Sequence, residues 1–190
     1  RERAHAEGLK IRFEEGDAEA LGFADDAFDV VFSLIGAMFA PRPARVASEL
    51  LRVCRPGGRV IMGNWTPGGF LGRMFKINGS YVPPPAGMAS PVLWGDEDTV
   101  RERFGDGVAE LQITKRMYPV RYPFSPDEVV EFFRTYYGPT NGAFATLASE
   151  PEKLAALRRD LEAHWCEHNT AQDGGTTIEA EYLEIIAVKA

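Results

Sequence analysis

The chain has 190 residues, 45% hydrophobic and 26% charged, which suffices for one ordinary core and excludes wholesale disorder. A formal net charge of -7, with basic residues scattered outside RERAH at the start and the pair Arg158–Arg159, argues against a nucleic-acid backbone as partner. Two cysteines, Cys54 and Cys166, exclude a disulfide framework and fit a cytoplasmic location; both are expected in helices, as packing residues.

In chain order, Arg1–Gly8 reads as the last turns of a helix stopped by Gly8. Ile11–Glu15 alternates apolar and polar residues and predicts a short strand, with a helical turn over Ala18–Leu21 and a bend at Asp25–Asp26. The run Asp29–Leu34 (DVVFSL) has the continuous β-forming character of a fully buried parallel strand. Asp17 then stands at the end of one strand and just ahead of the next, where open α/β sheets bind ligands. The longest apolar stretch, Val30–Ala40, is too short to span a membrane.

Pro43 opens a helix whose Val46, Leu50, Val53 and Cys54 share one face. RPGG (Arg55–Gly58) ends it, and Arg59–Trp65 is the next strand, so strand, helix and strand form a right-handed crossover. Thr66–Leu93 carries glycines, prolines and aromatics without a period and is expected to be a long irregular insertion. Gly95–Phe104 predicts a short helix with Asp96 as N-cap, and Val108–Met117 a half-exposed strand. Ser125, Pro126 and Glu128 form a capping box for a helix that runs through Phe132, Phe133, Tyr136 and Tyr137 to Gly138. Because Tyr136 and Tyr137 are adjacent, at most one faces the core. Ser149 and Glu152 predict a second capping box, opening a helix with Leu154, Leu157, Leu161, Trp165 and His168 on one stripe. Ile178–Val188 closes the chain as a strand, and the whole reads as a single domain.

GDAEALGFADDAFDVVFS, then PARVASELLRVCRPGGRVIMGNW, then the terminal YLEIIAV resemble the class I S-adenosylmethionine-dependent methyltransferases, in the type 11 branch that includes quinone-biosynthesis enzymes. The resemblance implies a Rossmann-like three-layer α/β sandwich with strand order 3-2-1-4-5-7-6, mostly parallel with an antiparallel last strand. It implies S-adenosylmethionine as cofactor and S-adenosylhomocysteine as product. Gly16, Asp17 and Ala18 would meet adenine, the Asp17 carboxylate accepting its amino group and the Ala18 backbone meeting its ring. Ser33 and Leu34 would border the methionine half, and Met38 and Phe39 would line the same pocket. Arg42 stands where many relatives have an acidic residue, a departure that touches the helix start rather than the ligand. The family's glycine-rich loop and its ribose-binding acid belong to strands one and two, ahead of the segment that Arg1 matches. The expectation is therefore a fragment of a longer chain, or one complemented by a second copy or another chain at an exposed strand edge.

Methyl transfer from a sulfonium needs an in-line nucleophile about 3 Å from the methyl carbon, so positioning carries most of the catalysis. The substrate-side insertion Thr66–Leu93 and the aromatic helix end Phe132–Tyr137 are the candidate acceptor-binding segments, with Asn64, Trp65, Phe70, Tyr81, Trp94, Tyr136 and Tyr137 walling an apolar pocket for a small, aromatic or prenylated acceptor. For each aromatic singly, core packing is the competing reading, and for Asp17 it is a turn-forming role. No residue is singled out as a catalytic base.

His164, Glu167 and His168 match the H-x-x-E-H pattern of inverted zinc peptidases, with Glu179, Glu181 or Glu184 as a third ligand. His168 also falls on the apolar stripe, and no metal is expected. The alternatives to a methyltransferase are a nicotinamide-dependent oxidoreductase fragment and a non-catalytic binding or assembly remnant of the same fold.

Overall fold

Four strands form one sheet in a computed structural model that describes Arg1–Ala190. They are β1 (Phe28–Leu34), β2 (Cys54–Trp65), β3 (Val108–Tyr122) and β4 (Thr176–Lys189), in the spatial order β1-β2-β4-β3. β1 and β2 are parallel, while β4 runs antiparallel to both β2 and β3. Three strands thus share a direction and the last opposes them, as the 4-5-7-6 half of the implied sheet requires. The helices are α1 (Glu2–Ala6), α2 (Pro43–Val53), α3 (Phe70–Tyr81), α4 (Glu97–Phe104), α5 (Pro126–Tyr136), α6 (Gly138–Thr146) and α7 (Pro151–His168). No helix is long and apolar enough to cross a membrane.

Alternation along β4 sorts the helices into two layers. Leu183, Ile185 and Ala187 face one core with Val46 and Leu50 of α2, Val100 and Phe104 of α4, and Trp94. Ile178 and Ala180 have the opposite parity and face a second core with Phe70 and Met74 of α3, Phe133 of α5, and Leu161 and Trp165 of α7. Each large aliphatic side chain fully buried this way contributes about 1.5–3 kcal/mol.

The crossover forms as the sequence predicts, with one shift. Val53 is the last residue of α2, so Cys54 is extended and opens β2. Between the pairs Phe28↔Cys54 and Val30↔Arg59 the β2 strand bulges. Gly57 takes φ +70 there, a backbone region that side chains with a Cβ resist. A Cβ on Gly58 would meet Arg55 O and Cys54 Sγ at 2.8 Å.

Several expectations are corrected. Ile11–Glu15 is exposed, irregular chain rather than a strand. β1 is a strand but not a buried one: it pairs with β2 alone, and Val30, Phe32 and Leu34 stay exposed along an open edge. The segment Thr66–Leu93 contains the twelve-residue helix α3, where Gly72 lies so close to the Thr66 and Pro67 carbonyls that a Cβ would overlap them. Helix α6 follows α5 after a single residue, where only an end was expected. The Ser125 capping box is present, with Glu128 Oε2 accepting the Ser125 N–H at 2.9 Å. The Ser149 box is not, because α7 starts at Pro151 with Glu150 as its N-cap residue and no side-chain cap. β3 runs on to Tyr122 through Pro119, which an edge strand tolerates. Cys54 is buried as expected; Cys166 is exposed and does not pack.

Candidate functional site

The loop from Gly16 to Asp25 owes its shape to polar side chains. Gly16 and Asp17 are exposed. Asp17 Oδ1 accepts the Glu19 N–H at 2.9 Å and the Asp17 carbonyl accepts the Ala20 N–H at 3.0 Å, an Asx-type turn that leaves Oδ2 free. Glu19, only 5% exposed, accepts the backbone N–H and the Nε–H of Arg42, each at 2.5 Å. Arg42, the residue that departs from the family pattern, is the N-cap residue of α2 and ties the loop to it. About two turns further along α2, Glu49 Oε2 accepts the Leu21 N–H at 2.6 Å while Arg52 binds both Glu49 oxygens. Arg52 also donates to the carbonyls of Leu21 and Phe23 and to Asp25. Its hydrogen bonds hold the Glu49 carboxyl down to about 2.

At the end of β1 the chain turns sharply. Ser33 Oγ accepts the Ala37 N–H at 3.1 Å, and the Ile35 N–H reaches the Gly63 carbonyl at 2.8 Å. Ile35 adopts φ +53, a left-handed conformation that a β-branched residue takes only under constraint. Between the loop and β1 lies a recess of about 340 Å³, with Ala18 and Ser33 both in its lining beside Leu21, Phe28, Val31 and Ala37. Of the cofactor candidates, then, Ala18 and Ser33 are brought together and Asp17 adjoins them. Leu34 is exposed, its Cδ1 leaning over Gly63; Met38 is buried in the α2–α4 core. Phe39 is 40% exposed, its ring 6.1 Å from that of Phe75.

Ile35 opens on a different space, an apolar cavity of about 240 Å³ beyond the strand ends. Three of the seven acceptor candidates, Trp65, Tyr136 and Tyr137, line it. Tyr136 is 74% exposed at its rim, whereas Tyr137 turns inward with a buried Oη that has no hydrogen-bond partner. Burial pushes the Tyr137 phenol far above its ordinary pKa, so it stays a neutral donor. The other four lie elsewhere. Phe70 stacks on His164 at 4.2 Å within the α3–α7 core. Tyr81 donates to Asp160 at 2.6 Å on the outside. Trp94 is buried in the other core under the Arg103 guanidinium. Asn64 is fully buried, and neither atom of its amide finds a partner.

The cavity also uses Tyr122, Phe133 and Trp165, which the sequence reading had placed only as packing residues or not singled out. Phe133 and Tyr137 stand four residues apart at the end of α5, a spacing that puts them together. The H-x-x-E-H residues do not form a metal centre. His164 Nε2 lies 3.0 Å from the Phe70 carbonyl, His168 Nδ1 lies 2.9 Å from the His164 carbonyl, and Arg73 stands 3.3 Å from His168 Nε2. A guanidinium at that nitrogen opposes a cation, and no group of three metal-ligating side chains converges anywhere in the structure.

A family model described as a methyltransferase domain matches residues 1–62. An uncharacterized protein of Mycobacterium tuberculosis is 39% identical over 188 residues, covering 98% of this chain and 67% of its own. The chain belongs to the class I S-adenosylmethionine-dependent methyltransferases. A second uncharacterized M. tuberculosis protein is 42% identical over 160 residues, 84% of this chain, and here the match spans 58% of the relative's length. A demethylmenaquinone methyltransferase of Deinococcus radiodurans is 36% identical over 89 residues, 46% of this chain and 37% of that enzyme. Among solved structures, the YcgJ protein of Bacillus subtilis superposes with a TM-score of 0.55 at 19% identity, covering 99% of this chain and 75% of that one. A S-adenosylmethionine-dependent methyltransferase of Thermotoga maritima, described as a possible histamine N-methyltransferase, gives 0.52 at 15% identity, covering 100% and 68%. These two likenesses establish the methyltransferase fold, and membership displaces the nicotinamide-dependent alternative.

Proposed function

We propose that this methyltransferase chain moves a methyl group from S-adenosylmethionine to a small apolar acceptor by in-line displacement. One observation carries the reading: Ser33 and Ile35, two residues apart at the end of β1, line two different spaces. Donor and acceptor held on either side of one strand end would be neighbours, as direct transfer requires. Apolar walls beside Ala18 suit a flat purine, and the free Asp17 oxygen at its margin suits the adenine amino group. The residues present therefore fit the nucleobase end of the cofactor, which when bound supplies an activated methyl on a sulfonium.

The chain's own part is placement. Glu19, Glu49, Arg42 and Arg52 hold the nucleobase loop, and the turn at Ile35 separates it from the acceptor cavity. Trp65, Tyr122, Phe133 and Tyr137 line the acceptor space and exclude water. An aromatic acceptor, of the kind named for the Deinococcus relative, matches those walls. A cytoplasmic setting suits free thiols, and the open β1 edge is where a second copy or another chain would add a strand. Phe32→Lys on that edge is then expected to lower the sedimentation mass; an unchanged mass removes the idea.

Calorimetry with S-adenosylhomocysteine tests the reading. The wild-type chain should release binding heat, and Asp17→Asn, which keeps an oxygen for the Glu19 N–H but replaces the free carboxylate oxygen with a donor, should bind at least tenfold more weakly with an unchanged melting temperature. No heat from the folded wild type would end the cofactor assignment, and equal affinities would return Asp17 to a turn-forming role alone.

A further inference from the structure

The sheet edge opposite β1 is the long strand β3, which pairs with β4 and nothing else. The direction of its free backbone groups follows from its neighbour. On the β3 side, the Ala190 N–H donates to the Gly107 carbonyl at 3.2 Å. On the other side of β4, the carbonyls of Glu181 and Thr177 accept the Thr66 and Thr170 N–H groups at 3.3 and 2.9 Å. Even-numbered residues of β4 therefore aim their backbone at β3, and the register matches them to even-numbered residues from Glu110 to Tyr122. The N–H and C=O groups of Leu111, Ile113, Lys115 and Met117 are left pointing outward with no strand to meet them. Pro119 belongs to the same set, so it withholds nothing from β4 but ends what an added strand could use.

The pairable edge thus runs from Val108, where β3 starts, to Tyr118, and its midpoint is Ile113. An antiparallel copy docked about a two-fold axis at Ile113 keeps each side chain on its own face of the sheet. Glu110 then stands opposite Arg116 of the second copy, twice by symmetry, and no other register does this. Glu110 is exposed and forms no ion pair of its own. Arg116 spends Nε and Nη2 on Glu184 and keeps Nη1 free. Lys115 lies beside Leu111 of the copy rather than a like charge. Met117 and Tyr118, 54% and 58% exposed, gain cover from the Val108–Glu110 bulge of the copy. Charges on an edge strand commonly repel an added strand, but here the two signs are spaced to match themselves.

We infer that β3 is a self-complementary interface through which two copies of this chain join into one continuous sheet, with paired Glu110 and Arg116 setting the register. The inference owes nothing to methyl transfer or to the β1 edge.

Charge exchange tests it, in a Phe32→Lys background so that the β1 edge contributes no association. Sedimentation equilibrium of that parent should give a dimer. Glu110→Arg puts two cations face to face and Arg116→Glu two anions, so each alone should dimerise at least tenfold more weakly. Mixed in equal amounts, the two variants restore both pairs, and a heterodimer of parental affinity should return. Hydrogen exchange reads the same contact in the parent. The amides of Leu111, Ile113 and Lys115 should exchange slowly where the dimer forms and quickly on dilution, while those of Gln112 and Thr114 stay protected throughout. A monomeric parent, undiminished dimerisation by either single variant, no recovery on mixing, or concentration-independent exchange at the outward amides would each overturn the assignment.

Discussion

Tyr137→Phe removes one oxygen and leaves the ring where it packs, 4.9 Å from Phe133 and 6.4 Å from Phe75. That oxygen is buried and has no hydrogen-bond partner in the protein. A water in the cavity needs two to four polar partners, and the walls are otherwise apolar, so the hydroxyl stays largely unsolvated. An unpaired buried hydroxyl costs about 1–3 kcal/mol. Taking the low end, Tyr137→Phe is expected to stabilise the fold by about 1 kcal/mol, which for a chain of this size raises the melting temperature by about 2–4 °C. Guanidinium unfolding and calorimetry read both quantities. A second readout comes from alkali: tyrosine ionises near 10 when unfolded, while the folded phenol is held well above that. Wild-type stability is therefore full below pH 10 and declines as pH rises beyond it, and the variant should decline less steeply. A loss of 1 kcal/mol or more in Tyr137→Phe would refute the reasoning, because it would show that the hydroxyl is satisfied.

Three further outcomes follow from the loop and the sheet. The Glu49 carboxyl is held to about 2 against an ordinary 4.5, so its contribution is present above pH 4.5 and is lost as pH falls toward 2. Glu49→Gln should flatten the acid limb of stability measured by denaturant midpoint from pH 5 to 2; an identical slope would contradict the pairing with Arg52. Arg42→Ala leaves the buried Glu19 carboxylate with a single backbone donor and should cost about 1–3 kcal/mol, more than an exposed ion pair; a midpoint unchanged in urea would count against it. Gly95→Ala would put a Cβ 2.1 Å from the Trp65 carbonyl oxygen and 2.6 Å from Thr66 Cα, both backbone atoms. The expected loss is about 3 kcal/mol, and a melting temperature within about 2 °C of wild type would show that the two segments can separate.

The crossover was readable because Val46, Leu50 and Val53 mark one helical face and PGG marks its end. The capped helix at Ser125 was readable for the same local reasons. Helix α3 was not: Gly72 and Gly79 interrupt its pattern, and Gly72 is required by the Thr66 and Pro67 carbonyls packed against it, a contact that no local period announces. Ile11–Glu15 and β1 show the converse limit, since alternation and apolarity describe what a segment prefers and not whether anything covers it. In the candidate site, a motif pointed to Ala18 and Ser33, which line one recess, while Trp65, Tyr136 and Tyr137, which line the other cavity, stood out only as aromatics. Phe70, Tyr81 and Trp94 look no different in sequence, because packing against His164, a hydrogen bond to Asp160 and cover from Arg103 are made by residues distant along the chain.

The backbone at Ile35 has a consequence for how variants should be scored. Its left-handed geometry favours glycine or asparagine by conformation alone, yet its side chain forms part of the wall of the apolar cavity proposed for the acceptor. In a saturation survey of this position, cellular abundance and methylation output are expected to rank the twenty residues in opposing orders. A predictor trained on abundance would recommend the wrong amino acid at the turn between the two proposed ligand spaces.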